Sequence, residues 1–217
     1  MRIEKIIFLL LNLLLLISCR QQTEKTRQAD RNSEEVTSEI SAGTTTPPKD
    51  LATIKKRFSE IETVRKTGKL DTISFNYNCY NERSGKVTFY SENEKLVLIE
   101  HRYNEYSHHE ATDWFYLYNK EPFFVLLDRL DWSFDGQSGG ETQTRDQITQ
   151  SRLYFLNGKA LQCLEKNFER TSNAGSVETE IPNTETDCSK ASEALSEFQK
   201  LWNSRNSNSS EVFCNTA

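Results

Sequence analysis

The chain is poor in the residues and spacings that mark most enzymes. It has one methionine, four prolines, eight glycines and three histidines in 217 residues. None of its five cysteines is spaced C-x-x-C, which argues against a thioredoxin-like redox motif and a zinc knuckle. H-E-x-x-H, G-x-S-x-G and nucleotide-type glycine loops are also missing. Gly136-Gln137-Ser138-Gly139-Gly140 is followed by no Lys-Ser/Thr pair and reads as a loop between strands. Asp131 and Asp135 flank Trp132, but with 32 acidic residues in the chain such a pair does not mark a glycosidase. The net charge of -5 is interspersed, with no basic stripe, which excludes charge-driven binding of nucleic acid or anionic lipid. No apolar run reaches the roughly twenty residues of a bilayer-spanning helix. The expectation is a non-enzymatic protein without a cofactor.

The start of the chain carries the most specific signal. Arg2 and Lys5 precede an apolar stretch, Ile6 to Ile17, broken only by Asn12 and ending in Leu16-Ile17-Ser18-Cys19. That stretch is too short to span a bilayer and reads as an export signal over residues 1–18. Leu-Ile-Ser-Cys resembles the lipobox of bacterial lipoproteins. The resemblance implies lipidation of Cys19, which becomes the mature N-terminus and holds the protein on a membrane through acyl chains. Arg20 is not the aspartate that retains lipoproteins at the inner membrane in the enterobacterial pattern. The outer membrane is therefore the expected address, with either the periplasm or the exterior as the side faced.

Residues 19–49 hold few large apolar side chains and end in Thr46-Pro47-Pro48. They cannot bury enough apolar surface to offset the entropy of ordering and are expected to be a tether. Residues 50–217 have the length and apolar content of a single domain. With Cys19 lipidated, Cys79, Cys163, Cys188 and Cys214 remain in an exported chain, where disulfides persist. Two disulfides are expected, Cys79 with Cys163 on predicted strands and Cys188 with Cys214 bracketing a helix.

The domain reads as α+β: an antiparallel meander of about seven strands packed by an N-terminal and a C-terminal helix. Asp50 precedes Leu51, Ile54, Phe58, Ile61 and Val64 at helical spacing, and Arg65, Lys66 and Gly68 close the run. Ile73, Phe75, Tyr77 and Cys79 then alternate with polar residues, as in a half-buried strand. Further strands are expected at Lys86 to Ser91, Leu96 to Tyr103, Asp113 to Tyr118, Phe123 to Phe134, Arg152 to Leu156 and Lys159 to Phe168. Asn157-Gly158 is the strongest hairpin signal. Ala191, Ala194, Leu195, Phe198, Leu201 and Trp202 share one face of the second helix. Phe89-Tyr90, Phe115-Tyr116 and Tyr154-Phe155 each place an aromatic pair before an Asn turn. This pattern resembles the hairpins of MORN-variant repeats and of many envelope lipoproteins, and spans about half the domain.

Two clusters are candidates for chemistry or recognition. His101, His108, His109, Glu110 and Asp113 gather all three histidines in one short segment, and imidazole with carboxylate is a zinc-type ligand set. A metal-binding protein or enzyme built on them is one alternative function. Trp114, Tyr116, Tyr118 and Trp132, with Phe134, Tyr103 and Tyr106, lie on neighbouring strands and would form an aromatic surface for a glycan or an envelope protein. Phe75-Asn76-Tyr77-Asn78-Cys79 resembles the opening strand of the membrane-bound lysozyme inhibitors. Their S-G-x-x-Y loop is matched only by Ser138-Gly139-Gly140-Glu141-Thr142, without the tyrosine, and the two helices depart from that pattern. The function expected from these features is a membrane-anchored, non-catalytic envelope lipoprotein with a binding or structural role. A lysozyme-inhibitor-like or glycan-binding module is the other alternative.

Overall fold

A computed structural model describes residues 46–138, 141–171, 181–205 and 211–214, with the side chains of 137, 138, 141, 142, 211 and 212 excepted. The export signal, Cys19, the tether up to residue 45, and Gly139-Gly140 of the loop compared with lysozyme inhibitors lie outside the described residues.

Helix α1 spans Leu51–Lys66 and starts on a reciprocal cap. The Thr53 amide donates to Asp50 Oδ1 at 2.8 Å, and the Asp50 amide donates back to Thr53 Oγ1 at 3.1 Å. These bonds satisfy two of the amides that a helix start leaves unpaired. Arg65 and Lys66 sit at the negative end of the helix, and Gly68 leaves it at φ +68°.

Eight strands follow in one antiparallel sheet, ordered as in the chain: β1 Asp71–Cys79, β2 Arg83–Glu92, β3 Lys95–Glu105, β4 His109–Tyr118, β5 Glu121–Ser138, β6 Glu141–Leu156, β7 Lys159–Thr171 and β8 Thr184–Glu185. The additional strand is β8, two residues that pair with Leu164 and Glu165 of β7. Strand β6 begins eleven residues before the apolar segment starting at Arg152. Its first half, Thr142 to Ser151, is polar apart from Ile148, so hydrophobic periodicity gives no sign of the pairing. Helix α2, Lys190–Ser204, and the single turn α3, Glu211–Cys214, complete the domain.

The aromatic repeat has a structural meaning. Asn93-Glu94, Asn119-Lys120 and Asn157-Gly158 all have positive φ at both positions, as a two-residue hairpin turn requires. Register shifts follow Tyr90, Tyr116 and Tyr154. These tyrosines fall in one row across the sheet: Tyr90 opposes Leu98, Leu98 opposes Tyr116, Tyr116 opposes Phe124 and Phe124 opposes Tyr154. Helix α1 crosses the strands over this row. Phe58 meets the rings of Tyr116 and Phe124 edge-on at 4.9 and 5.0 Å, and Lys55 lies over Tyr154. Four strand spacings come to about 19 Å, a distance that a helix of sixteen residues (about 24 Å) covers.

The opposite face carries the larger apolar cluster, with Val87, Phe89, Ile99, Phe115, Val125, Leu153 and Phe155 under Ala191, Ala194, Phe198 and Leu201 of α2 and Phe213 of α3. The sheet thus has one helical cover on each face.

Candidate functional site

The disulfides differ from the expected pairing. Cys163 bonds Cys188 and Cys79 bonds Cys214. In the observed strand order Cys79 lies on β1 and Cys163 on β7, six strand spacings apart, or about 29 Å. A disulfide needs Cα atoms within about 7 Å, so the Cys79–Cys163 pairing is geometrically excluded. The C-terminal segment is instead a strap fastened at β7 by Cys188 and at β1 by Cys214. Lys190 adds a further anchor at the β7 end. It ion-pairs with Glu165 and donates to Ser151 Oγ at 3.1 Å.

Beneath the strap lies a row of buried polar groups. Register places His101 directly opposite Asp113, and both are almost fully buried, at 0% and 2% exposure. His101 Nε2 is 2.9 Å from the Tyr77 hydroxyl, and its Nδ1 is 3.3 Å from Glu197 Oε1 on α2. Asp113 accepts a two-pronged contact from Arg129, with the Nη2–Oδ2 arm at 3.1 Å. Arg83 and Arg129 both reach the Tyr103 ring, at 4.6 and 5.5 Å. Burial raises the Asp113 carboxyl above the ordinary range, opposed by Arg129. Burial also pushes Glu197 upward, but His101, Lys200 and Arg83 beside it outweigh that and hold the carboxyl low. Tyr77 reaches His101 because residue 85 is glycine: a Cβ there would stand 2.6 Å from the Tyr77 ring and from the Arg102 carbonyl. The row links sheet to strap through paired charges, although His101 Nδ1, Glu197 Oε1 and Arg83 Nε are buried without a well-formed hydrogen bond.

This geometry separates the histidines. His101 is sealed under α2 and α3, and Tyr103 lies between its ring and that of His109, at 4.7 and 6.3 Å. His109 pairs with Asp131 at 2.6 Å, while the His108 ring lies tilted against Trp132, with centroids 4.0 Å apart. Among the described residues no group of three His, Cys, Asp or Glu side chains is placed to share a metal ion.

The aromatic candidates divide as well. Tyr116 is 2% exposed beneath α1 and donates to Glu62 at 2.9 Å, so it belongs to the core and not to a surface. Trp114 and Tyr118 pack in the same cluster. Trp132 lies outside it, at the far end of β5. There it meets His108 and Phe134, with Phe134 5.4 Å away and 67% exposed. Alternate turns of a meander lie at one end of the sheet, which brings Tyr80 of the β1–β2 turn and Tyr106 of the β3–β4 turn to the same end. They are 88% and 78% exposed, and each has a φ of +56°. Left-handed backbone costs a residue with a side chain roughly 1–2 kcal/mol. The Tyr106 amide donates to the Glu82 carbonyl at 2.8 Å and ties the two turns together.

Beside this end, on the part of the α1-facing surface that α1 does not cross, is a shallow depression of about 560 Å³. It is lined by Asn76, Asn78, Ser84, Lys86, Arg102 and Asn104. The pairing register sets these groups out as a grid of amide, hydroxyl, ammonium and guanidinium donors.

No family model, curated protein or solved structure matches the chain.

Tyr77, Arg129, Glu197 and Tyr80 are the site residues that sequence reasoning missed. The spacing of His101 and Asp113 about a hairpin carries a signal for their pairing. Nothing local links Glu197 to His101, because α2 sits over β3 only after the strap has closed.

Proposed function

We propose that the chain is a lipid-anchored envelope protein with a non-catalytic binding role, exercised through the aromatic end of its sheet. Anchoring rests on the Leu16-Ile17-Ser18-Cys19 motif, and the outer membrane is the proposed address. The observation that carries the binding role is the gathering of Tyr80, Tyr106, Trp132 and Phe134 at one end, clear of both helical covers. Exposed aromatic faces beside a grid of amide, hydroxyl and cationic donors suit a saccharide: apolar sugar faces stack on rings while hydroxyls and carboxylates take the donors. The proposed ligand class is therefore an envelope glycan bearing carboxylates.

Two experiments test the reading. Replacing Cys19 with Ser should move the protein from the membrane to the soluble fraction, and unchanged membrane retention refutes the anchor. Co-sedimentation of the full-length protein with purified, insoluble peptidoglycan tests the ligand class, and recovery no greater than on an uncharged polysaccharide resin refutes it.

A further inference from the structure

The two edges of the sheet are treated differently. At β7, the strand β8 pairs with Leu164 and Glu165, the Thr186 amide donates to the Cys163 carbonyl at 3.0 Å, and Lys159, Lys166, Glu169 and Arg170 distribute charge along the strand. At β1 no further strand pairs with the edge among the described residues, and Asp71 at its start is its single charge. The strand is nine residues long, pairs with β2 without a register shift, and contains no proline and no lysine. Ile73 on it is 70% exposed. A long, regular edge that exposes an isoleucine and has no strand partner among the described residues is a template for another strand, and proteins that stay monomeric ordinarily guard it with several charges, proline or a bulge.

We propose that β1 pairs antiparallel with β1 of a second copy, centred on Phe75, to give a two-fold dimer with a sheet continuous through both chains. Centring on Phe75 overlaps all nine residues. The pattern of side chains is self-complementary in that register. Asp71, the one charged residue of β1, falls opposite Cys79 of the second copy and not opposite its own equivalent. Ile73 meets Tyr77, which removes the exposed isoleucine from water. On the other face Ser74 meets Asn76 and Thr72 meets Asn78, all small and polar. Directly opposed residues of antiparallel strands share a face, so the two-fold axis stands perpendicular to the sheet and both α1 helices fall on one side. The starts of both α1 helices then lie on the same side, as anchoring of both chains in one membrane would require. Only this last point rests on the proposed lipid anchor; the strand pairing does not.

The test uses full-length protein in detergent, with protein mass measured by native mass spectrometry. The wild type is expected at twice the mass of one chain. Ser74→Lys with Asn76→Lys places like charges opposite one another in two symmetry-related pairs, at exposed positions that the fold tolerates, and should give monomer. Ser74→Lys with Asn76→Asp makes the same pairs complementary and should restore the dimer, which loss of folding would not do. A monomeric wild type, or a dimer indifferent to both charge patterns, overturns the proposal. Backbone hydrogen exchange separates one competing occupant: a monomer whose β1 amides are all protected means that the chain's own N-terminal segment covers the edge, and this outcome also overturns the dimer.

Discussion

Removing the strap's two fastenings one at a time should have unequal effects, and the difference follows from chain topology. Cys163–Cys188 closes a loop of 25 residues, whereas Cys79–Cys214 closes one of 135. The short bridge lies inside the long loop, so the unfolded chain must close an effective loop of roughly 110 residues for the outer one. Loop-closure entropy then assigns about 5 kcal/mol to the outer bridge and about 3.5 kcal/mol to the inner one. The perturbations are the double replacements Cys79→Ala/Cys214→Ala and Cys163→Ala/Cys188→Ala, compared in guanidinium denaturation. With a slope of about 4 kcal/mol/M, the outer pair should lower the midpoint by about 1.2 M and the inner pair by about 0.9 M. Hydrogen exchange adds a local readout. Loss of the outer bridge releases Phe213, which stacks on Tyr77 at 4.6 Å, so β1 and the neighbouring part of β2 should exchange faster while β6 and β7 do not. A larger loss from the inner pair, a loss under about 1 kcal/mol from either, or recovery of a Cys79–Cys163 peptide would refute the strap.

Three other perturbations probe the account. Gly85→Ala drives a Cβ into the Tyr77 ring and the Arg102 carbonyl at 2.6 Å, and thermal unfolding should show a loss of about 2–3 kcal/mol, well above that of Tyr77→Phe. Glu165 is held below its ordinary value of 4.5 by hydrogen bonds from Lys190 and then Asn167, so its folded pKa is lower than its unfolded one. Its contribution to stability is present above that ordinary value and is lost as pH falls through the lowered one; thermal melts from pH 7 to pH 3 should show a flatter acid limb for Glu165→Gln, and an unchanged limb contradicts the assignment. Metal analysis of purified protein should find no stoichiometric zinc, and zinc that disappears in His108→Ala/His109→Ala would restore the metal-site alternative.

Much of the architecture can be read in the sequence because its signals are local. The Asp50 cap, the helical spacing from Leu51 to Val64, and the Asn turns at 93, 119 and 157 each depend on a few neighbouring residues. Long-range organisation is not local in this sense. The expected bridge from Cys79 to Cys163 joined two strands that any meander sets at opposite edges; strand order, not spacing along the chain, decides that pairing. The first half of β6 is held by its ladder to β5 and by side chains such as Gln150, which donates to Asp128 at 3.2 Å, and leaves no apolar alternation to read. Tyr77, His101, Asp113, Arg129 and Glu197 come together only through register and strap closure. Tyr116 looked like a surface aromatic because alternation separates the two faces of a strand but does not say which face carries a helix; both do.

Binding at the aromatic end is tested most directly by co-sedimentation of full-length protein with purified peptidoglycan, comparing the wild type with Trp132→Ala/Phe134→Ala. A central aromatic anchor contributes about 2 kcal/mol, so the account predicts that wild type is retained and the variant binds about thirtyfold more weakly, with both disulfides intact. Equal retention of the two proteins would contradict the account.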